Sequence, residues 1–186
     1  MYLDLLHDPR FYDHLLMMDQ DLADKARRAG CLECSGRLDS ARFRRKPRGG
    51  PAGLSPEHLQ QLGLCCDRCR RRLTPPSVRF LPHRVYYGAV LVLAGAQKLT
   101  ARWVQQLEEE LGVDRRTLRR WRSWWQEHFA RSPFWQAKKG AFQPPVIEAE
   151  LPGSLLDRFS GGEQDRLVRS LSWLAPLRTF PLSVGI

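Results

Sequence analysis

"LTARWVQQLEEELGVDRRTLRRWRSWWQEHF", residues 99–129, holds two helix signatures and the turn between them. Thr100 stands where a cap would start a helix over about 101–111, and Gly112 stands where a left-handed backbone would end it. Asp114 is set to cap a second helix over about 115–130, and its carboxylate also suits the positive end of that helix dipole. Val104, Leu107 and Leu111 share one side of the first helix, Val113 fills the turn, and Leu118 and Trp121 share a side of the second. Two helices joined by about three residues including a glycine fit a helix-turn-helix. Glu108 departs from the usual pattern, in which a small residue lets the two helices approach.

The other side of the second helix carries Arg115, Arg116, Thr117, Arg119, Arg120 and Arg122. Arg115 and Arg119 are four apart, as are Arg116 and Arg120, so each pair shares a face. In a helix-turn-helix the first turns of the second helix meet base edges and phosphates in the major groove. A guanidinium suits both, because its fork meets guanine or phosphate with two parallel bonds. The helix offers only Asp114 and Glu127 as internal relief, so a polyanion would quiet the repulsion. The plainer reading is a solvated arginine face. The preceding run "HRVYYGAVLVLAGAQK", 83–98, is apolar on most sides, as the central helix of a three-helix bundle must be. Trp103, Trp121, Trp124, Trp125, Phe129, Phe134 and Trp135 read as core, with a base-stacking surface as the alternative.

Working toward the N-terminus, "CLEC" supplies Cys31 and Cys34, and "CDRC" supplies Cys66 and Cys69. Two such knuckles can set four thiolates at the corners of a tetrahedron, the arrangement Zn²⁺ takes in closed structural sites, with Zn–S of about 2.3 Å. Four thiolates leave no open coordination position, so one structural zinc ion is expected. Binding would contribute on the order of 10 kcal/mol to the folding of a segment poor in large apolar side chains. Cys65 is the alternative to Cys66 as a ligand, with Cys66 preferred. Neither pair has the strand-then-helix context of a redox motif, and buried thiols without metal are the other alternative. Between the pairs, "SPEHLQQLG" (55–63) predicts a short helix, capped by Ser55, begun by Pro56 and stopped by Gly63. Cations crowd both sides of this segment: Arg42, Arg44, Arg45, Lys46 and Arg48 in the gap, Arg68 inside the second pair, and Arg70, Arg71 and Arg72 after it. They are expected to grip phosphates that flank a site read by the second helix.

Phe11, Leu15, Met18, Leu22 and Ala26 form one apolar stripe over residues about 8–29, with Pro9 in the first turn and Gly30 past the end. Residues 132–152 contain prolines and no period, which predicts a linker or extended arm. Leu167, Leu171 and Leu174 share a face in one or two short helices over 153–175. The expected class is therefore mainly α with a small irregular or β zinc ribbon. Its parts are an N-terminal helix (1–30), a zinc-ribbon module (31–82), a three-helix helix-turn-helix domain (83–131), the linker (132–152) and a short helical tail (153–186). Residues 30–142 carry 22 of the 30 Lys and Arg and nine of the 20 Asp and Glu, so the basic charge sits in the middle of the chain. That distribution points to a polyanion partner. The chain has no apolar run of about 18 residues and its opening lacks a secretory pattern. An intracellular, cytoplasmic protein with reduced thiols and no membrane partner is expected.

The order of parts, "CLEC", then "CDRC" running through basic residues into "LTPPS", an apolar helix, and "LTARWVQQLEEELGVDRRTLRRW", resembles the N-terminal region of insertion-sequence transposases. The resemblance covers about residues 30–130. It implies a zinc ribbon ahead of a helix-turn-helix that binds transposon ends, with Cys31, Cys34, Cys66 and Cys69 on zinc and Arg115, Arg116, Arg119 and Arg120 facing DNA. Those transposases continue into a catalytic domain with three carboxylates for two metal ions. Here Glu148, Glu150, Asp157, Glu163 and Asp165 lie in the arm and tail with no strand run to carry them. The expectation is a DNA-binding protein without catalytic activity, an accessory or regulator of a mobile element that partners duplex DNA and a transposase or other protein of the same element. The alternatives are an RNA-binding component, an adaptor docking a partner through residues 11–26 or 155–174, and a nuclease remnant using the C-terminal acids.

Overall fold

The computed structural model describes residues 2–44, 47–82, 85–96 and 100–178. Two short pieces of sequence set the first long helix. Asp8 caps it, its carboxylate accepting from the Arg10 N–H at 3.0 Å, and Pro9 occupies the first turn. Helix α2 then runs over Pro9–Ala29 behind the short α1 (Tyr2–His7), and Gly30, at φ 76°, ends it. The stripe read from the sequence is the face that packs. Phe11 and Leu15 are buried, and Met18 and Leu22 lie against the same core. Ala26, one turn further, instead touches the ribbon.

The ribbon is a three-stranded antiparallel sheet in the order β1 (Leu38–Arg44), β2 (Gln60–Cys66), β3 (Arg72–Leu73). Leu38 pairs with Cys66 and Arg44 with Gln60, so the whole of β1 lies along β2. This corrects the helix expected over 55–63. Residues 55–60 make tight turns, with the N–H groups of His58, Leu59 and Gln60 reaching back three residues, and the chain then extends as β2. The capping signal was local, whereas seven residues of cross-strand pairing and the burial of Leu64 and Cys66 are tertiary and override it.

The helical part is built around α3 (Gly88–Ala96), in which Ala89 through Ala94 are almost wholly buried. It begins later than 83–98 suggests, because Val85–Tyr87 are used as extended backbone: Arg48 pairs with Tyr86 in a parallel bridge. His83, Arg84, Gln97, Lys98 and Leu99 lie outside the described residues. Helices α4 (Ala101–Leu111) and α5 (Arg115–Ser123) follow, joined by Gly112–Val113–Asp114. The chain beyond α5 stays helical as a π turn over Trp124–Phe129. Of the expected linker over 132–152, residues 142–147 are irregular, but its first part is helical. Pro133–Lys138 is helix α6, capped by Ser132, and it drives Phe134 and Trp135 into the core, where both rings meet Trp173. Apolar burial of two large aromatics outweighs the local prolines. Helices α7 (Gly153–Leu156) and α8 (Glu163–Leu174) close the molecule, with Leu167, Leu171 and Leu174 inward.

One core therefore runs from Leu6 to Leu177, while the ribbon has a separate small one of Cys31, Leu38, Leu64 and Cys66. A buried ion pair ties the two parts together. Asp19 of α2 accepts from Arg79 Nε, Ser77 Oγ and the Val78 N–H, each at 2.7 Å. Arg79, fully buried, also donates to the carbonyls of His58 and Gln60 at the start of β2. Both apolar stripes offered for an adaptor, on α2 and α8, are packed inside the chain's own core. Among the described residues no helix is long and apolar enough to cross a membrane.

Candidate metal centre and basic surface

Each cysteine pair sits in the same local fold. After Cys34 the chain turns through Ser35 at φ 54°, and after Cys69 through Arg70 at φ 60°. The Cys31 N–H donates to the Gly36 carbonyl at 3.0 Å, and the Cys66 N–H to the Arg71 carbonyl at 2.9 Å. Both loops thus close from the first cysteine to the fifth residue after it, over a left-handed residue that is not glycine. Such residues are uncommon and held only where surroundings demand them. Two copies of one strained loop, facing each other, bring four sulfurs together. Cys31 Sγ lies 3.6 Å from Cys69 Sγ and Cys34 Sγ 3.5 Å from Cys66 Sγ, and all four lie within 4.8 Å of one another. A zinc tetrathiolate has sulfur–sulfur edges of about 3.8 Å, given Zn–S near 2.3 Å.

The cluster can hold one metal ion. The backbone N–H groups of Glu33 and Cys34 point at Cys31 and bring its thiol down to about 7. The Arg71 N–H pulls Cys69 the same way, but desolvation and the neighbouring Cys66, Cys31 and Cys34 sulfurs prevail and push it up to about 12. Four thiols this close cannot all lose their protons without a cation among them. Cys65 stands apart, its sulfur near the carbonyls of Cys66 and Arg70, so Cys66 is the member of the cluster. Arg71 bridges the knuckles rather than reaching outward: its Nη1 lies 2.6 Å from Glu33 Oε1. Arg70 is exposed after the second pair and Arg72 is exposed on β3.

The arginine row on α5 forms as the caps dictate. Thr100 Oγ1 accepts from the Trp103 N–H, Gly112 takes φ 61°, and Asp114 Oδ1 accepts from the Thr117 N–H at 2.6 Å. Leu107, Leu118 and Trp121 face inward, which leaves Arg115, Arg116, Arg119 and Arg120 exposed and Arg122 half-buried. None of these five has an ion pair with a carboxylate among the described residues. Thr117 is half-buried and engaged with Asp114, whose carboxyl is held below its ordinary range chiefly by the Thr117 backbone N–H.

Arg42 is exposed on β1; the Arg44 backbone ends that strand; Arg45 and Lys46 lie outside the described residues. Arg48 is fixed more firmly than its sequence suggests. Its N–H donates to the Val85 carbonyl at 2.9 Å and its carbonyl accepts from the Tyr87 N–H at 3.2 Å. Gly49, at φ 79°, follows with its α-carbon so close to Val90 that a methyl would lie 3.0 Å from it. Tyr86, paired with Arg48, donates its hydroxyl to the Gly112 carbonyl at 3.3 Å and packs edge-on against Trp121 of α5. The basic loop is thereby anchored to the turn between α4 and α5. Three cations outside the sequence reading, Arg27, Arg28 and Arg37, border a depression beside β1 with Asp39 and Ser40; Arg27 pairs with Asp24 and Arg37 with Asp39. The sequence signal for Arg27 and Arg28 was the basic last turn of α2; Arg37 had none.

No protein-family model, curated protein or solved structure matches this chain.

Proposed function

We propose that the protein is a non-catalytic, sequence-reading binder of duplex DNA. In this reading α4 and α5 act as a helix-turn-helix, and one structural zinc ion on Cys31, Cys34, Cys66 and Cys69 stiffens a cationic ribbon. The observation that carries the reading is the row of exposed guanidiniums of Arg115, Arg116, Arg119 and Arg120 on the first turns of a capped helix, none in an ion pair among the described residues. The helix N-terminus adds its own attraction for phosphate. Support also comes from Arg48, whose backbone is tied through Tyr86 to the turn that leads into α5. A phosphate contact from Arg48 would set register, and contacts from α5 would set sequence. The likeness to the N-terminal region of insertion-sequence transposases makes an accessory or regulatory role in a mobile element the favoured setting.

Fluorescence anisotropy on duplexes of varied sequence tests this. Arg116→Ala and Arg120→Ala are expected to lose about 1–3 kcal/mol on the preferred sequence and to relax base preference, whereas Arg48→Ala weakens every sequence alike. With about 6–10 phosphates neutralised, affinity should drop on the order of 10³-fold or more between 50 and 200 mM salt. Equal losses on all sequences for both kinds of variant contradict the reading. Preference for structured RNA over duplex DNA in direct competition replaces it.

A further inference from the structure

Arg120, Trp124 and His128 are spaced four apart, so they rise one above the next along the helix that α5 and its π turn form together. With Arg119 and Ser123 they border a depression of about 470 Å³, open on one side to solvent. Its chemistry is unusual for a surface helix: two exposed guanidiniums, an exposed imidazole, a half-buried hydroxyl and a half-buried indole. The π turn underlies the arrangement. The Ala130 N–H bonds the Trp125 carbonyl, five residues back, at 3.2 Å. The widened turn buries both Trp125 and Phe129 and leaves Trp124 half-buried at the rim, edge-on against Trp125 and tilted against Phe129. Extra-wide turns of this kind are rare and recur at functional sites.

A paired duplex makes little use of an indole on the recognition helix. Stacked bases present only their edges to a groove, and an aromatic face engages a base only once the base has left the stack. We propose that this depression takes one unpaired nucleotide of the bound DNA, so that the protein prefers duplex carrying a single-stranded extension over blunt duplex. The phosphate of that nucleotide meets Arg119 and His128. The base lies against Trp124, and Ser123 meets a base edge or the sugar. The inference rests on the DNA-binding reading and adds to it the kind of DNA end or junction that is held.

The test compares a 25-base-pair duplex that is blunt with the same duplex bearing a five-thymidine extension on either the 3′ or the 5′ strand, by anisotropy at fixed salt. The full-length protein is expected to bind one extended form about fivefold or more tightly than the blunt one, from the stacking of a single base. Trp124→Leu, which keeps an apolar side chain at the rim, should reduce that ratio to near one while leaving blunt-duplex affinity close to unchanged. His128→Ala, at an exposed position, should lower the ratio part-way, and it serves if Trp124→Leu does not fold. A 2-aminopurine placed next to the duplex in the extension should change emission on binding to the wild type and not to Trp124→Leu. Equal affinity for blunt and extended duplex overturns the proposal and leaves duplex binding standing. A preference that survives Trp124→Leu or is untouched in His128→Ala also overturns it. Failure to bind any of these DNAs removes both readings.

Discussion

The ribbon and the helical body solve the same problem with different means. The helical body encloses Trp125, Phe129, Phe134, Trp135 and the leucines of α4, α5 and α8 around the nearly all-buried α3. The ribbon encloses two leucines and two cysteines, with Ala26, Cys34 and Leu73 at their side. At about 25 cal/mol for each Å² of apolar surface removed from water, the first has ample drive to fold and the second has little. The ribbon also carries left-handed strain at Ser35 and Arg70. A cation among the four sulfurs would supply the missing term, and the same ion would fix the turn at Arg70 that leads into β3 and Arg72. The basic surface is thus conditional on a metal in one region and built by caps and apolar packing in the other.

The largest expected effect lies in the ribbon. Cys34→Ser or Cys69→Ser should abolish bound metal and remove on the order of 10 kcal/mol of local folding free energy, seen as loss of β signal in circular dichroism and zero metal by elemental analysis. Cys65→Ser should retain one metal per chain. Next comes the joint between the regions. Asp19→Ala leaves the buried Arg79 guanidinium without its carboxylate and should destabilise by about 3–5 kcal/mol in urea denaturation. Leu107→Ala, wholly within the helical body, should remove about 2–5 kcal/mol without changing metal content. A loss of metal in that variant would erase the distinction between the regions.

The smallest effect concerns pH. The Thr117 N–H and side chain hold the Asp114 carboxyl below its ordinary value. Its contribution is therefore complete above the unfolded pKa of about 3.9 and fades as pH falls through the lower folded value. Asp114→Asn, which can still cap, should flatten that part of the acid titration of thermal stability, with little change at neutral pH.

The caps of α4 and α5 were legible in the sequence because Thr100, Gly112 and Asp114 act on neighbours two or three residues away. The two C-x-x-C pairs were legible for the same reason, and a spacing rule alone favoured Cys66 over Cys65. Strand β1, "LDSARFR", was not legible: it has no clean alternation, and its pairing partner begins 16 residues past its end. The helix expected over 55–63 failed on that same long-range pairing. Nothing local marked Arg79, which is the buried counter-ion of a carboxylate sixty residues earlier. The prolines of 132–152 hid helix α6, although Phe134 and Trp135 were read as core; their rings meet Trp173 in α8. What local chemistry specifies could be read, and what distant residues impose could not.

Hydrogen exchange before and after chelation tests the division most directly. On removal of the metal, amides of β1 and β2 should lose their protection while those of α3, α4 and α8 keep theirs. Loss of protection across both regions together, or no change in the strands, would contradict the account.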